Sequence, residues 1–238
     1  MCIIMFKCKG SSFPSQQTIS NCMDRNPDGF AMAWNEPDGS LRNFQTMDRG
    51  EALKRYIRLV KTHDPEKTAL IFHARIATHG SKKRENCHCW LADTKIGDVA
   101  FAHNGILSNV PNRDDMTDSE TFFRDYFLPT LEGAGLETAG KVAKAIAGNS
   151  KFAFLFEGGH ISCVGAFEKH ADKGAKGVCY YSNSSYVGIG ASLFPGYRSG
   201  SSPRYNSMYS IHFDRNSDRR AVRKENNGSL TVTRGEPR

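Results

Sequence analysis

The sequence predicts a mixed α and β domain built on one core, with strands on both sides of a central pair of helices. Three observations carry this. Short apolar runs bounded by turn residues occupy the first and last parts of the chain, and apolar positions recur at helical spacing between residues 118 and 147. A chain of 238 residues with 39% hydrophobic content is also long enough for one sizeable core. Residues 2–6 form an apolar run suited to a buried strand. Asn26-Pro27-Asp28-Gly29 is a turn signal, and Gly29 to Trp34 follows it as a second strand. Leu41 to Thr46 alternates loosely and pairs with it as a hairpin across Asp38-Gly39. From Arg49 to His63, Leu53, Tyr56, Ile57 and Val60 recur at helical spacing, and Asp64-Pro65 closes the helix. Thr68 to Phe72 and Val99 to Ala102 read as strands, each running into a polar, glycine-containing turn. Asp118-Ser119-Glu120-Thr121 opens a second helix with Phe122, Phe123, Tyr126, Phe127 and Leu131 on its apolar side. Glu132-Gly133-Ala134-Gly135 separates it from a third helix over Leu136 to Ala147. Strands are then expected at Phe152 to Phe156, Ile161 to Ala166, Val178 to Ser182 and Tyr186 to Ile189. Beyond Phe194-Pro195-Gly196 the chain is rich in Ser, Asn, Arg and Gly; Met208 to Phe213 is one late strand candidate, and residues 214–238 are expected to be mostly mobile.

Composition excludes several function classes. A membrane-spanning helix needs about 20 consecutive apolar residues, and the sequence holds no such run. The N-terminus lacks a charged-then-apolar signal pattern, so a cytoplasmic location is expected. Cys2, Cys8, Cys22, Cys87, Cys89, Cys163 and Cys179 form an odd, irregularly spaced set, which argues for reduced thiols rather than a disulfide framework. The net charge is +7, and from Gly196 onward nine Lys or Arg stand against four Asp or Glu, so the end of the chain is basic. That stretch has no stacking pattern of aromatics, and no nucleic-acid partner is expected.

Four places carry candidate chemistry. Removal of Met1 would put the Cys2 thiol and a free α-amine on one residue, a nucleophile beside its own base, because an α-amine titrates near pH 8. The turn at His73-Ala74-Arg75-Ile76-Ala77-Thr78-His79-Gly80 bears a guanidinium, a hydroxyl and two imidazoles. Arg75 offers a planar donor fork for a carboxylate, and Thr78 can add a third donor. His73 and His79 are six residues apart, which does not suit a metal pair on one helical face. At Ala102-His103-Asn104-Gly105, the Asn104 side-chain N–H and the Gly105 backbone N–H can form a two-donor oxyanion hole, since glycine has no Cβ to block close approach. Asp118 stands at a helix start, where it can act as an N-cap or accept a substrate ammonium. Cys87 and Cys89 around His88 lack a convincing fourth ligand for zinc, so neither metal nor cofactor is expected.

Together these residues supply a nucleophile, a carboxylate clamp, an oxyanion hole and an ammonium acceptor, in that order along the chain. The sequence resembles the class II glutamine amidotransferases, whose glutaminase domains are N-terminal nucleophile hydrolases, over roughly residues 2–190. The resemblance rests on the N-terminal Cys, an H-x-R-x-A-T-x-G block at His73 to Gly80, H-N-G at His103 to Gly105 and D-S-E at Asp118 to Glu120. It departs from the family where Asp28-Gly29-Phe30-Ala31 replaces D-G-x-G, and where Asn86-Cys87-His88-Cys89-Trp90 replaces N-x-H-P-F.

The resemblance implies an α+β fold, a four-layer αββα sandwich of two face-to-face antiparallel sheets with helices outside. It implies a domain over residues 1–195 followed by a basic extension over 196–238. Cys2 would be the catalytic nucleophile, with Asn104 and Gly105 stabilising the oxyanion. Arg75, Thr78, His79 and Asp118 would form the substrate site, Arg75 with Thr78 on the carboxylate of L-glutamine and Asp118 on its amine. Asn183, in Tyr181-Ser182-Asn183-Ser184-Ser185, is read as supporting the fold. Because residues 196–238 leave no room for an acceptor domain, a separate ammonia-using synthase subunit is the expected partner. Two alternatives stand beside this: hydrolysis of another γ-glutamyl amide or peptide, and a non-catalytic glutamine-sensing module if Met1 is retained.

Overall fold

Strict alternation along the strands divides the core into three apolar layers. The computed structural model describes residues 1–77, 81–111, 113 and 116–188, with the backbone of 223–224 and 230–231. Strand β1 (Ile3–Lys7) is buried at every position. Its Ile3 and Met5 face one layer while Ile4 and Phe6 face another, as the two-residue side-chain period of a strand requires. β2 (Phe30–Asn35) behaves alike, with Phe30, Met32 and Trp34 on the first side and Ala31 and Ala33 on the second. A strand covered on both faces reads as a continuous apolar run, and both runs are legible in the sequence.

The first layer packs β1, β2 and β4 (Leu70–Ala74) against helices α1 (Gln16–Arg25) and α2 (Arg49–Thr62). Ser15 caps α1, its hydroxyl accepting from Thr18 N at 3.1 Å, and Asp48 caps α2 by accepting from Glu51 N at 2.6 Å. Helix α1 lies outside the sequence expectations, although its buried Ile19, Cys22 and Met23 have the i, i+3, i+4 spacing of a packed face. Helix α2 lies where expected, but its buried face is Ala52, Tyr56 and Leu59, and Val60 sits on the rim.

The middle layer lies between two antiparallel sheets. One has six strands in the order β3-β2-β4-β1-β10-β9, with β3 Leu41–Thr46, β9 Glu168–His170 and β10 Cys179–Tyr181. The other has four, β5-β6-β7-β8, formed by Trp90–Ala92, Val99–Asn104, Lys151–Phe156 and His160–Val164. Ile4, Ala31, Ala33, Ile71, Ala100, Ala102, Ala153 and Leu155 meet here, and the many alanines suit close face-to-face approach.

The third layer packs the outer face of the four-stranded sheet against α3 (Asp118–Thr121), a π-helical segment at Phe122–Phe127 and α4 (Leu128–Ala147). Phenylalanine dominates it: the Phe127 and Phe154 rings stack at 4.1 Å, and Phe101 touches Phe122, Phe123, Phe152 and Phe154. The expected break between the second and third helices narrows to Gly135, which leaves helical angles at φ 81°, ψ 173° while the helix resumes beyond it. The result is the four-layer αββα sandwich.

Two further expectations change. Tyr186–Ile189 is not a strand in its described part: Ser184–Tyr186 makes a 3-10 turn capped by Asn183, whose side chain accepts from Ser185 N at 3.0 Å and competes with sheet pairing. β9, with the polar sequence Glu-Lys-His, carries no apolar signal and joins the sheet through its register with β10. The late strand at Met208 to Phe213 and most of residues 196–238 lie outside the described residues.

Candidate active site

Antiparallel register brings the start of β1 beside the ends of its two neighbours. Ile3 pairs with Ala74 of β4, and Met5 pairs with Tyr181 of β10. Cys2, one residue before β1, therefore meets the segment that carries Arg75 and Ile76 on one side and Ser182 and Asn183 on the other. Its Sγ lies 3.5 Å from the Ile76 carbonyl oxygen, and Asn183 Nδ2 donates to the Cys2 carbonyl at 2.7 Å. Burial raises the Cys2 thiol above its ordinary range, while the N-terminal charge and Arg75 pull the other way. A thiol held protonated needs a base at the moment of attack.

Arg75 is 4% exposed and is tied down on all sides. Its backbone N–H donates to Gly29 O at 2.8 Å, its carbonyl accepts from Asp28 N at 2.8 Å, and Nη1 donates to Ser81 O at 3.0 Å. Ser81 O also accepts from buried Asn86 Nδ2 at 3.0 Å. Asp28 braces the same loop, accepting from Ala77 N at 3.0 Å and pairing with Lys82 at 2.6 Å. Thr78 and His79 lie outside the described residues.

Asn104 ends β6 in the facing sheet and reaches across to the β1 side: its Nδ2 donates to Ser182 Oγ at 2.9 Å. Gly105 follows with φ +150°, and a Cβ there would lie 2.1 Å from Ser150 Oγ and 2.8 Å from Ser150 Cα, so no other residue fits without moving backbone. The loop then bends to Leu107, whose N–H donates to Asp118 Oδ2 at 2.8 Å. Asp118 is thus joined to the Asn104 loop. It is not the N-cap: Thr117 takes that place, accepting from Glu120 N at 3.2 Å, and leaves the Asp118 carboxylate on the first helical residue. Burial alone would raise the Asp118 carboxyl, but the Leu107 amide, His103 and Ser119 outweigh it and the net shift is downward, so the group is anionic at neutral pH.

Behind these residues His73, His88 and His103 form a buried stack. His73 and His88 lie 4.5 Å apart at 24°, and His88 and His103 lie 6.1 Å apart at 11°. His88 Nδ1 is 2.9 Å from the His103 carbonyl, and His103 Nδ1 is 2.6 Å from Ser119 Oγ, which donates to Asp118 Oδ1 at 3.0 Å. Parallel rings do not aim their nitrogens at one point, so this stack has no metal-binding geometry. Burial pushes His73 well below its usual value, His88 to about 3 and His103 to about 4. Each is neutral in the folded chain, whereas the unfolded chain takes up a proton below about pH 6.5. Stability is therefore full above that pH and falls as pH drops toward 4, by up to roughly 1.4 kcal/mol per pH unit per histidine. Asp118, with a lowered value, contributes its loss only further down, below its ordinary value of about 3.9. Urea unfolding at pH 7 and pH 5 checks this: lower stability is expected at pH 5, and equal stability would remove the neutral stack.

Of the residues singled out in the sequence, Cys2 lies against the Arg75–Ile76 segment, Asn104 is linked to β1 through Ser182, and Asp118 is linked to the loop after Asn104-Gly105 through Leu107. Sequence reasoning gave no site role to Ser81, Asn86, Ser150, Lys151 or Ser182. The Ser182-Asn183 pair was visible as a motif, but its bonds to Cys2, Ile4 and Asn104 appear only once the strands are paired.

The model of the family "Glutamine amidotransferases class-II" matches residues 4–166. A Haemophilus influenzae protein named "Putative glutamine amidotransferase" is 29% identical over 163 residues, covering 62% of this chain and 55% of that protein. The chain thus spans about half the length of this curated relative. Among solved structures, that of "the allosteric regulatory enzyme of purine biosynthesis" superposes with a TM-score of 0.54 at 13% identity, over 78% of this chain and 42% of the other. This shows a shared fold. Glutamine phosphoribosylpyrophosphate amidotransferase from B. subtilis matches over the same shares at 14% identity, with a TM-score of 0.48.

Proposed function

The chain belongs to the class II glutamine amidotransferases, and from that premise we propose that it hydrolyses L-glutamine to glutamate and ammonia with Cys2 as nucleophile. The observation that supports this most is the meeting of Cys2 with Arg75 and, through Ser182, with Asn104, while Leu107 draws Asp118 to the same edge.

In this reading Met1 is removed, so that the α-amine of Cys2 is free. Arg75 binds the glutamine α-carboxylate and Asp118 the α-ammonium, which leaves the side-chain amide to face the thiol. The amine takes the thiol proton as sulfur attacks the amide carbon, and the tetrahedral oxyanion is held by Asn104 Nδ2–H and Gly105 N–H. The same proton then passes to the leaving nitrogen, ammonia departs, and a γ-glutamyl thioester remains. Water attacks the thioester with the amine again as base, releasing glutamate and restoring the thiol. Asn104 ends a strand of a different sheet from the one Cys2 precedes, which supports a reading in which the oxyanion donors are held by the fold before substrate arrives.

Ammonia is useful to a second enzyme only if delivered, and we take the acceptor to be a separate synthase subunit. The basic stretch from Gly196 onward is proposed to dock it; recovery of the same partners by full-length and shortened chains would defeat that part. For the reaction itself, intact mass first verifies that Cys2 is N-terminal. Glutamate release is then measured with glutamine and with γ-glutamyl peptides. Equimolar glutamate and ammonia from glutamine are expected. Turnover of the peptides alone would move the substrate to another γ-glutamyl amide, and no turnover of either would overturn the assignment.

A further inference from the structure

The nucleophile and the oxyanion donor sit on different sheets, and the sheets meet through apolar side chains such as Ile4, Ala102 and Ala153. Apolar packing is non-directional and leaves small sliding motions cheap. Chemistry tolerates little of that, since a displacement of about 1 Å between reacting groups can cost about 100-fold in rate. Something directional has to set the offset at this edge.

Ser182, 1% exposed, is bonded to both sides. Toward β1, its N–H donates to Ile4 O at 2.9 Å and its Oγ accepts from Ile4 N at 2.8 Å. The next residue, Asn183, holds the Cys2 carbonyl at 2.7 Å. Toward the four-stranded sheet, Ser182 Oγ accepts from Asn104 Nδ2 at 2.9 Å, and its carbonyl accepts from Lys151 Nζ. Lys151 is the register partner of Asn104 on β7. A hydroxyl has two acceptor sites, and both are occupied here, one by each sheet. The other end of the Asn104 amide, Oδ1, is buried and has no hydrogen-bond partner among the described residues, so there the orientation of that amide rests on Ser182.

We infer that Ser182 is a positioning residue: its hydroxyl, shared between Ile4 and Asn104, sets the distance from the Cys2 sulfur to the oxyanion donor. This rests on the glutamine-hydrolysing reading above. Ser182 touches neither sulfur nor substrate in this scheme, and acts through Asn104.

The test compares Ser182→Thr with Ser182→Val in chains whose mass shows Cys2 exposed. The two substitutions have the same shape and share any packing cost, differing only in the hydroxyl. Ser182→Val is expected to have a kcat for glutamine about 10–100-fold below Ser182→Thr, with KM within about twofold. In an Asn104→Ala background the two should differ by less than about threefold, because the group through which the hydroxyl acts is gone. If Thr and Val are too large to fold there, Ser182→Ala against the native serine supplies the same comparison in both backgrounds. A hydroxyl effect of equal size with and without Asn104, an effect confined to KM, or no effect on an active enzyme overturns the inference alone. A chain with exposed Cys2 that turns over no γ-glutamyl amide overturns the functional reading, and the inference with it.

Discussion

Replacing Cys2 by Ala is expected to abolish glutamate release from glutamine, a loss of about 10⁴-fold or more, with the fold intact. The size follows from chemistry that no neighbour can take over. The α-amine survives the substitution but has no thiol to deprotonate, and the buried cysteines Cys22, Cys87, Cys89 and Cys179 have thiols that burial pushes upward and holds inert. The fold survives because Cys2 engages its neighbours mainly through its backbone: its carbonyl still accepts from Asn183, and β1 pairing begins at Ile3. A change in stability within about 0.5 kcal/mol is expected, as for other half-buried positions that hold no packing role. Glutamate release and thermal unfolding, measured on the same preparation, separate the two effects. Turnover within tenfold of the native rate would place the nucleophile elsewhere.

Arg75→Lys keeps the positive charge and is still expected to raise KM for glutamine about 100-fold, equivalent to about 2.8 kcal/mol, with a smaller change in kcat. A carboxylate takes two parallel hydrogen bonds from a guanidinium fork, and an ammonium cannot offer that geometry. The site also forbids easy compensation. The guanidinium is buried and aligned by Ser81 O, which Asn86 holds in turn, so a lysine Nζ would have to satisfy that carbonyl and the substrate with one freely rotating group. Steady-state kinetics with glutamine and with glutaminamide, which lacks the α-carboxylate, decides the point. The variant should lose its penalty on glutaminamide. An equal penalty on both substrates would mean that Arg75 supports the loop and does not bind the carboxylate.

Legibility in the sequence tracks the range of the interactions involved. Local patterns were readable: Ile3 to Phe6 and Phe30 to Trp34 as continuous apolar strands, the phenylalanine stripe from Phe122 to Leu131, and the turn at Asn26 to Gly29. Where local signals compete, the outcome is settled by partners distant in the chain. Val60 and Leu59 are both apolar, and the packing of α2 in the first layer decides that Leu59 is the one buried. Glu168 to His170 becomes a strand because β10 presents an edge, and Tyr186 does not because Asn183 captures the Ser185 amide first.

The same division runs through the candidate site. Residue chemistry alone picked out Cys2, Arg75, Asn104-Gly105 and Asp118, because a nucleophile with its own amine, a donor fork and an Asn-Gly turn are properties of covalent structure. Nothing in their order along the chain says that residue 2 lies beside residues 76 and 183, or that residue 104 shares a hydroxyl with residue 4. Those facts come from antiparallel register and from two sheets packed face to face, which convert separations of 74 to 181 residues into hydrogen bonds. The neutral histidine stack is likewise tertiary, since only burial in the packed interior removes the water that would let those imidazoles charge. Sequence by itself determined which groups could react and where most of the strands and helices form; the tertiary structure alone decided which groups meet, because register and sheet packing are set by the whole core at once.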